Sequence, residues 1–430
     1  MSDPMQAEQA HQGLQAQSDW GWLKDWRASA WSQFAATPWP TRKTEAWKYT
    51  PLKAMLDTEW SLAEQPGTGT GTVFEHWDRT VITLVDGKVT DHDALPEGVT
   101  VRLLSKATPE QRAQFEDRLA KTLAGDQLFT TFNQALLAEA VWIDVAPETV
   151  LEKPLHINQV LSSNANGRAV PVRLMLDLGA RSQMTLVETF SSESDGPVFI
   201  NPVTEIEVGD SARLTHYHLL LETGDVRHLG SVQAVLRAHS QMNSFHMALG
   251  GVLKRKDIVV RHCGSGAHLQ LNGVYLPKGK EHVDYHTTLE HEVPHGTSNE
   301  VFRGIIGDEA KAVFNGRIHI HKDAQKTLAE LSNKNLLTSH KAEINTKPEL
   351  EIYADDVKCA HGATVAQLDK GSMFYFLSRG ISRQEAEVMM SFGFINELLE
   401  TLDDEPVKQL LRPMLASLFA KEDELARHLV

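Results

Sequence analysis

Short runs of alternating apolar and polar residues fill the middle of the chain. Residues 172–190 place alternating apolar positions on each side of Gly179, and residues 204–222 repeat this arrangement around Gly209 and Asp210. Comparable stretches follow at residues 231–251, 257–276, 309–324 and 350–365. Alternation interrupted by turn residues is typical of short β-strands. The middle of the chain is therefore predicted to be mainly β-structure.

The interval between these stretches bears on the kind of β-fold. They recur at an uneven spacing of roughly 24–32 residues, which exceeds the about 8–12 residues of a simple sandwich. Regular short strands remain compatible with a sandwich, a barrel or a β-solenoid. The longer interval suits one coil of a parallel β-helix that carries two or three strands per turn. The pattern favours a β-helix over a sandwich, with its core at residues 141–368.

Residues 1–140 combine helical and strand patterns, and they are predicted to form a helix-rich α/β domain. Residues 80–90 indicate a hairpin around Asp86, because an Asp-Gly pair between apolar strands favours a tight turn. The spacing of apolar residues predicts helices at residues 108–125 and 129–142.

Residues 369–430 return to helical spacing and are predicted to form a C-terminal helical segment. Ser382 with Glu385 forms the sequence signature of a capping box, and a second helical pattern contains Pro413, which should break or kink it. The first helix carries one broad apolar stripe, formed by Val388, Met389, Phe392, Ile395, Leu398 and Leu399. This stripe either packs inside the chain or forms a docking surface for a partner.

Composition narrows the class of protein. The 430 residues carry 42 basic and 57 acidic side chains, a net charge of −15, which argues against nucleic acid and anionic membranes as partners. No apolar run approaches the roughly 20 residues of a membrane span, and the first residues do not resemble a signal peptide. Two cysteines exclude both a disulfide framework and a four-cysteine cluster or zinc site within one chain. A cytoplasmic protein with reduced thiols is expected.

Histidines offer several possible metal ligands. Fifteen of the 20 histidines lie between residues 216 and 361. His216 with His218, and His319 with His321, form pairs that project from one side of a strand. Such pairs either bind metal or form solvated or hydrogen-bonded strand faces.

A second group of histidines lies among acidic residues in a stretch without a strong strand pattern. Its members are His282, His286, His291 and His295. This group supports an alternative function, a stand-alone histidine-rich hydrolase on a β-solenoid that uses a divalent ion.

Cys359 and His361 form the clearest pair of candidate metal ligands. On a strand they share one face, about 7 Å apart by the strand rise, and a thiolate with an imidazole suits iron or zinc. Lys358 is expected to favour the thiolate. Two ligands do not complete a site, so the others must come from elsewhere, including another chain; a structural cysteine beside an ordinary histidine is the alternative. A weaker version of the same idea involves Cys263, His262 and His268.

Four stretches of the chain resemble the SufB/SufD family of iron–sulfur cluster assembly scaffolds. They are residues 42–52 (RKTEAWKYTPL), 321–339 (HKDAQKTLAELSNKNLLTS), 349–369 (ELEIYADDVKCAHGATVAQLD) and 373–394 (MFYFLSRGISRQEAEVMMSFGF). The last two are specific, and the likeness covers nearly the whole chain. The N-terminal unit and the small number of cysteines favour the SufD over the SufB branch.

The resemblance implies a fold, partners and a site. The fold is a right-handed parallel β-helix between an N-terminal α/β domain and C-terminal helices. The chain would be a non-catalytic scaffold, joined through its β-helix to SufB and through its C-terminal stripe to the SufC ATPase. Cys359 and His361 would lie at the SufB interface, where iron enters or a nascent cluster forms. No cofactor is expected to be stably bound by the isolated chain; the cluster or iron would be transient.

Overall fold

A computed structural model describes residues 8, 11, 12, 14, 18–56, 58–63, 65–72, 74, 77–119, 121–123 and 128–419. Within these residues the chain forms a parallel β-solenoid of about eight coils, with helices on both sides. The predicted β-helix core is therefore confirmed, and the domain boundaries at residues 140 and 368 stay predictions.

The strands follow one another from near the N-terminus to residue 367. They are β1 (Ser61–Leu62), β2 (Thr80–Val85), β3 (Lys88–His92), β4 (Val99–Leu103), β5 (Ala140–Val145), β6 (Leu155–Leu161), β7 (Arg168–Leu178), β8 (Gln183–Ser192), β9 (Val198–Val208), β10 (Arg213–Leu220), β11 (Val226–Leu236), β12 (Gln241–Leu249), β13 (Leu253–His262), β14 (His268–Leu276), β15 (His282–His291), β16 (Thr297–Ile306), β17 (Lys311–Ile320), β18 (Leu328–Leu337), β19 (Glu343–Ile352) and β20 (Lys358–Gln367).

Successive strands from β5 onward alternate between two sheets. The first sheet has the order β4-β5-β7-β9-β11-β13-β15-β17-β19, with β1 paired to β7. The second sheet has the order β3-β2-β6-β8-β10-β12-β14-β16-β18-β20. Pairing is parallel, except that β3 and β4 run antiparallel to their neighbours. The predicted hairpin is confirmed, because β2 and β3 pair across Asp86 and Gly87.

Because the strands pair in parallel and in register, residues at equivalent positions of successive coils stack in columns inside the solenoid. One column passes from Leu178 to Val208 and Leu236, each nearly inaccessible to solvent. It continues through His262 and His291 on the next two strands of that sheet. Since alternate residues of every strand face inward, the apolar columns of both sheets form one continuous core. Burial of these apolar side chains stabilises the folded chain by about 25 cal/mol per Å² of apolar surface removed from water.

Helices cover the outer faces of the sheets. They are α1 (Lys24–Ala36), α2 (Pro109–Arg118), α3 (Leu128–Ala135), α4 (Lys370–Ser378), α5 (Arg383–Leu399) and α6 (Glu405–Phe419), with short helical turns at Ser18–Leu23, Glu45–Trp47, Lys53–Leu56, Leu104–Lys106 and Ser163–Ala165. Trp60 and Phe132 pack against Phe199 on the outer face of the first sheet, with ring centroids 5.9 and 5.5 Å from it. α5 and α6 pack against the outer face of the second sheet.

The helix boundaries correct three predictions. The helix expected at residues 129–142 ends at Ala135, because residues from Ala140 onward pair with β4 and β7 as β5. The helix expected at residues 108–125 ends at Arg118, and residues 120, 124 and 125 lie outside the described residues. α6 continues through Pro413, which lies on its exposed side, where water can bond the carbonyl group that lacks a partner.

Gly264 allows two turns of neighbouring coils to approach each other closely. A Cβ at this position would lie 2.0 Å from the backbone nitrogen of Ala238 and 2.1 Å from the carbonyl carbon of Arg237. Neither backbone atom can rotate away, so Gly264→Ala should destabilise the protein by about 1–3 kcal/mol. Thermal unfolding of the two proteins measures this.

Gly393 in α5 provides the matched control. A Cβ there meets nothing within 4 Å, and alanine has the higher helix propensity. Gly393→Ala should leave the unfolding midpoint unchanged or raise it. Equal midpoints for the Gly264→Ala variant and the unmodified chain would contradict the proposed steric role.

Candidate functional site

The solenoid ends in a coil that no further coil covers. In their sheets β19 pairs with β17 alone and β20 with β18 alone. Nearly every residue of β20 is exposed. An edge strand of this kind presents unpaired N–H and C=O groups that another strand can bond. We call the free edges of β19 and β20 the open end.

Cys359 and His361 lie on the inward side of β20 at the open end. Cys359 pairs with Ala329 and His361 with Leu331, and both partners belong to the buried core. Cys359 is partly buried against that core, whereas His361 is exposed. The prediction that the two side chains share one face is confirmed. They continue interior columns, and they reach solvent only because the solenoid stops there.

The thiol of Cys359 is not activated in the isolated chain. Burial raises its pKa, although a backbone hydrogen bond from Ala329 acts in the opposite direction. Lys358 is exposed on the other face of β20, since successive side chains of a strand alternate. The expectation that Lys358 favours a thiolate is therefore wrong for this conformation. A metal or a partner's charge would have to lower the pKa.

Within the part of the chain that the structure describes, Cys359 and His361 have no third potential metal ligand close to both of them. Among the described residues, the group of three or more histidine, cysteine or acidic donors that could hold an ion contains neither Cys359 nor His361. An iron or zinc ion normally takes four or more ligands. The two side chains can therefore form part of a site that another molecule completes.

The four histidines predicted as a metal cluster are not brought together. His282 and His286 point outward from β15 and contact Thr50 and Asp284, whereas His291 points into the solenoid. His291 stacks on His262, with ring centroids 4.1 Å apart. This prediction is wrong, because His286 and His291 are five positions apart on one strand, and an odd separation places two side chains on opposite faces.

Cys263 also lacks the predicted histidine neighbours. Its thiol lies 3.4 Å from a carboxylate oxygen of Glu292, and burial with this charge raises the pKa of the thiol to about 11. The His262 ring is buried inside the solenoid, and His268 bonds to Thr297. Cys263 is therefore a protonated structural thiol in this conformation.

The pair His216 and His218 belongs to a buried polar network in the solenoid. His216 Nε2 lies 2.9 Å from a carboxylate oxygen of Glu188, and Nδ1 lies 3.0 Å from the hydroxyl of Ser244. Ser244 in turn bonds to His246 at 2.9 Å. Desolvation holds the pKa of His218 and His246 well below the usual value, so both rings are neutral. The pair projects to one side of the strand as predicted, and that side is the interior.

Two lysines accompany this network, and sequence reasoning missed both. Lys254 donates to a carboxylate oxygen of Glu222 at 3.1 Å and to the Glu222 carbonyl at 2.8 Å. Burial lowers the pKa of Lys256 to about 8, despite the charges of Glu188 and Glu222. The signal in the sequence was alternation: Lys254 and Lys256 are in phase with the inward residues Ile258 and Val260 of β13.

The apolar stripe of α5 mostly packs within the chain. Val388, Ile395, Leu398 and Leu399 are buried, Phe392 is half-buried, and Met389 is 42% exposed. The helix turns this face to the second sheet because most of its buried residues join Tyr217, Phe245 and neighbouring strand residues in one cluster. The exposed large apolar side chains of the described C-terminal helices are instead Phe374, Tyr375 and Leu377 of α4, together with Met389 of α5.

Comparison with known proteins identifies two matching regions. Residues 160–394 match the SufBD core domain of SUF system FeS cluster assembly, and residues 7–157 match the SufBD protein N-terminal region. The chain is 32% identical over 382 residues to the iron–sulfur cluster assembly protein SufD of Escherichia coli, covering 88% of each chain.

Two further relatives carry similar names. An iron–sulfur cluster assembly SufBD family protein of Synechocystis is 26% identical over 84% of each chain. The iron–sulfur cluster assembly protein SufD of Bacillus subtilis is 26% identical over 66% of this chain and 64% of its own. Among the described residues, no helix is long and apolar enough to cross a membrane.

Glu300, inside the solenoid, gives the buried polar residues a measurable effect on stability. Its carboxyl accepts a 2.6 Å hydrogen bond from Thr287, and burial raises its pKa to about 8. Between about pH 4.5 and pH 8 the unfolded chain loses this proton while the folded chain keeps it. Stability should therefore fall as pH rises through this range, by up to about 1.4 kcal/mol per unit of pKa difference.

Glu300→Gln removes the titrating group and keeps the shape. Its unfolding midpoint, measured by circular dichroism from pH 5 to pH 8, should fall less than that of the unmodified chain. The exposed Glu97 serves as control, because Glu97→Gln should preserve the original pH dependence. Parallel curves for the Glu300→Gln variant and the unmodified chain would show that Glu300 is ionised in the folded state.

Proposed function

Because this chain belongs to the SufBD family of iron–sulfur cluster assembly proteins, we propose that it is the non-catalytic scaffold subunit that pairs through its open end with a SufB-type subunit. The observation that carries the proposal is the position of Cys359 and His361 at the end of interior columns on an uncovered strand. Iron, or the nascent cluster, would be bound there as cargo.

Strand pairing at the open end would complete the site. A partner strand laid along β20 would place its own inward side chains one strand spacing, about 4.8 Å, from Cys359 and His361. Ligands contributed across such a junction would bring the coordination number from two to four. The metal or the partner's cations would then stabilise the thiolate that burial disfavours in the isolated chain.

We propose that the exposed apolar residues of α4, with Met389 of α5, dock an ATPase of the SufC type. Phe374, Tyr375 and Leu377 are 72%, 52% and 41% exposed, which is unusual for apolar side chains so close in sequence. α5, which carries Met389, is tied to the solenoid, because Arg303 donates to Glu397 at 2.7 Å. The turn that follows α5 is tied as well, because Tyr217 donates to Asp404 at 2.8 Å. Movement driven by an ATPase would therefore be transmitted to the second sheet.

The alternative of a histidine-rich hydrolase has less support. The histidines proposed for it, at positions 282, 286, 291 and 295, lie on different faces of the fold. A scaffold needs no nucleophile or activated water of its own, only ligands and partner surfaces.

His361→Ala should reduce cluster assembly on the complete complex to background, because it removes the one exposed imidazole on the inward side of β20. Complex formation should persist, since backbone pairing does not depend on this side chain. Iron and acid-labile sulfide per complex after reconstitution measure the yield. Lys358→Ala, on the opposite face of the same strand, should assemble clusters normally. A normal yield with His361→Ala would refute the site.

Phe374→Asp should weaken co-purification with the ATPase at least tenfold, because a carboxylate cannot enter an apolar interface without a large desolvation cost. The matched control is Val150→Asp, another highly exposed apolar position (61%), which lies outside the helices and pairs with Gln183 in an isolated bridge. Ile395→Asp should instead lower the unfolding midpoint, because Ile395 is fully buried. Unchanged ATPase binding by Phe374→Asp would exclude α4 as the docking surface.

A further inference from the structure

A compact group of three metal-ligand side chains lies on the outer face of the first sheet. Glu290 of β15 pairs in register with His319 of β17, and His321 follows at the end of the same strand. One donor atom from each of these residues lies within 4.8 Å of the others. We propose that Glu290, His319 and His321 form a binding site for a borderline divalent cation such as Zn²⁺ or Fe²⁺.

The geometry directs three donors to one point. The carboxylate oxygen Oε2 of Glu290 lies 2.5 Å from Nδ1 of His319 and 2.9 Å from Nε2 of His321. The two imidazole centroids are 4.2 Å apart. Strand alternation causes this convergence, because His319 and His321 are two residues apart and Glu290 lies on the adjacent strand.

The second carboxylate oxygen is held in place by a separate network. Arg317 donates to Oε1 of Glu290 at 2.8 Å and makes two hydrogen bonds, of 2.9 and 2.8 Å, to the carboxylate of Glu351. The ring of Tyr353 lies edge-on to His319 at 5.4 Å. Oε1 is therefore anchored, and Oε2 is directed at the imidazoles. Outer contacts of this kind orient ligands in metal sites.

The charge of the site suits a cation. Two carboxylates and one guanidinium leave a net charge of −1 when both imidazoles are neutral. Burial raises the pKa of Glu290, but the hydrogen bonds and charges of His321, His319 and Arg317 outweigh it and keep the pKa below the usual value. Glu290 thus remains an anionic ligand at neutral pH.

The donor set indicates the class of ion. Two imidazoles with one carboxylate suit zinc, iron, cobalt and nickel, whereas calcium and magnesium prefer oxygen ligands alone. An ion at about 2.1 Å from each donor requires the donors to be about 3.4 Å apart in a tetrahedral site, wider than the present hydrogen bonds. The His321 side chain is 42% exposed and can rotate to provide this space. Three protein ligands on one side leave further positions for water or an exchanging ligand.

This site is separate from the proposed cluster site. Glu290, His319 and His321 face outward from the first sheet, whereas Cys359 and His361 lie on the inward side of the second sheet. The inference therefore stands on its own geometry and does not depend on iron–sulfur assembly.

Titration of the purified full chain with Zn²⁺, followed by calorimetry, tests the inference. The unmodified chain should bind Zn²⁺ at this site with a Kd below about 0.1 mM. The double variant His319→Ala/His321→Ala should bind one equivalent of Zn²⁺ fewer than the unmodified chain, or bind Zn²⁺ at least tenfold more weakly. Glu290→Gln, which preserves shape, should weaken binding in the same direction. Circular dichroism of each variant establishes that it is folded.

Two control variants separate this site from other donors. His92→Ala/His340→Ala, at two exposed histidines elsewhere, should bind as the unmodified chain does. Cys359→Ser/His361→Ala should still bind the one equivalent of Zn²⁺ that is assigned to the site at Glu290. Undiminished binding by folded His319→Ala/His321→Ala, or an equal loss in the His92→Ala/His340→Ala control, would overturn the assignment. The assignment would also be overturned if the unmodified chain did not bind Zn²⁺.

Discussion

Parallel pairing in register is the constraint on which the rest of this structure depends. Each coil places its inward residues directly on those of the coil before, so an inward residue of a central coil contacts one neighbour on each side within its column. The column from Leu178 through Val208 and Leu236 to His262 and His291 shows that the rule holds for apolar and polar residues alike. Core packing, the buried polar network and the position of Cys359 and His361 all follow from this one pattern of backbone bonds.

Buried charged and polar residues make the interior more specific than an apolar column would be. Inside the solenoid the carboxylate of Glu188 bonds to both Thr204 and His216. Lys254 donates to Glu222 and to the carbonyl groups of two further residues. Such groups stabilise little in net terms, because their desolvation offsets their bonds. A coil shifted by one residue would leave them without partners, at a cost of several kcal/mol. We infer that they help to keep the strands in register.

The sequence predicts the class of fold better than the detail of the sites. Alternation and the long interval between strands indicate the solenoid, and the capping box predicted at Ser382 marks the true start of α5. The part of the predicted helix that covers residues 136–142 does not form. Pairing of β5 with β4 and β7 is a long-range interaction, and it overrides the local helical pattern. The predicted cluster of histidines between His282 and His295 does not form, because strand alternation directs neighbours in the sequence to opposite faces of β15. Glu290 joined His319 only through strand pairing across 29 positions.

The two ends of the solenoid differ, and the difference has an evolutionary consequence. Antiparallel strands β3 and β4 terminate the sheets near the N-terminus, whereas β19 and β20 expose parallel edges about ten residues long. A molecule that matches both edges at once must have the same coil height, sheet separation and twist. A copy of the same gene has all three from the moment it is duplicated. Diverged sister subunits are thus the simplest solution to capping such an end, and side-chain chemistry can then be divided between them.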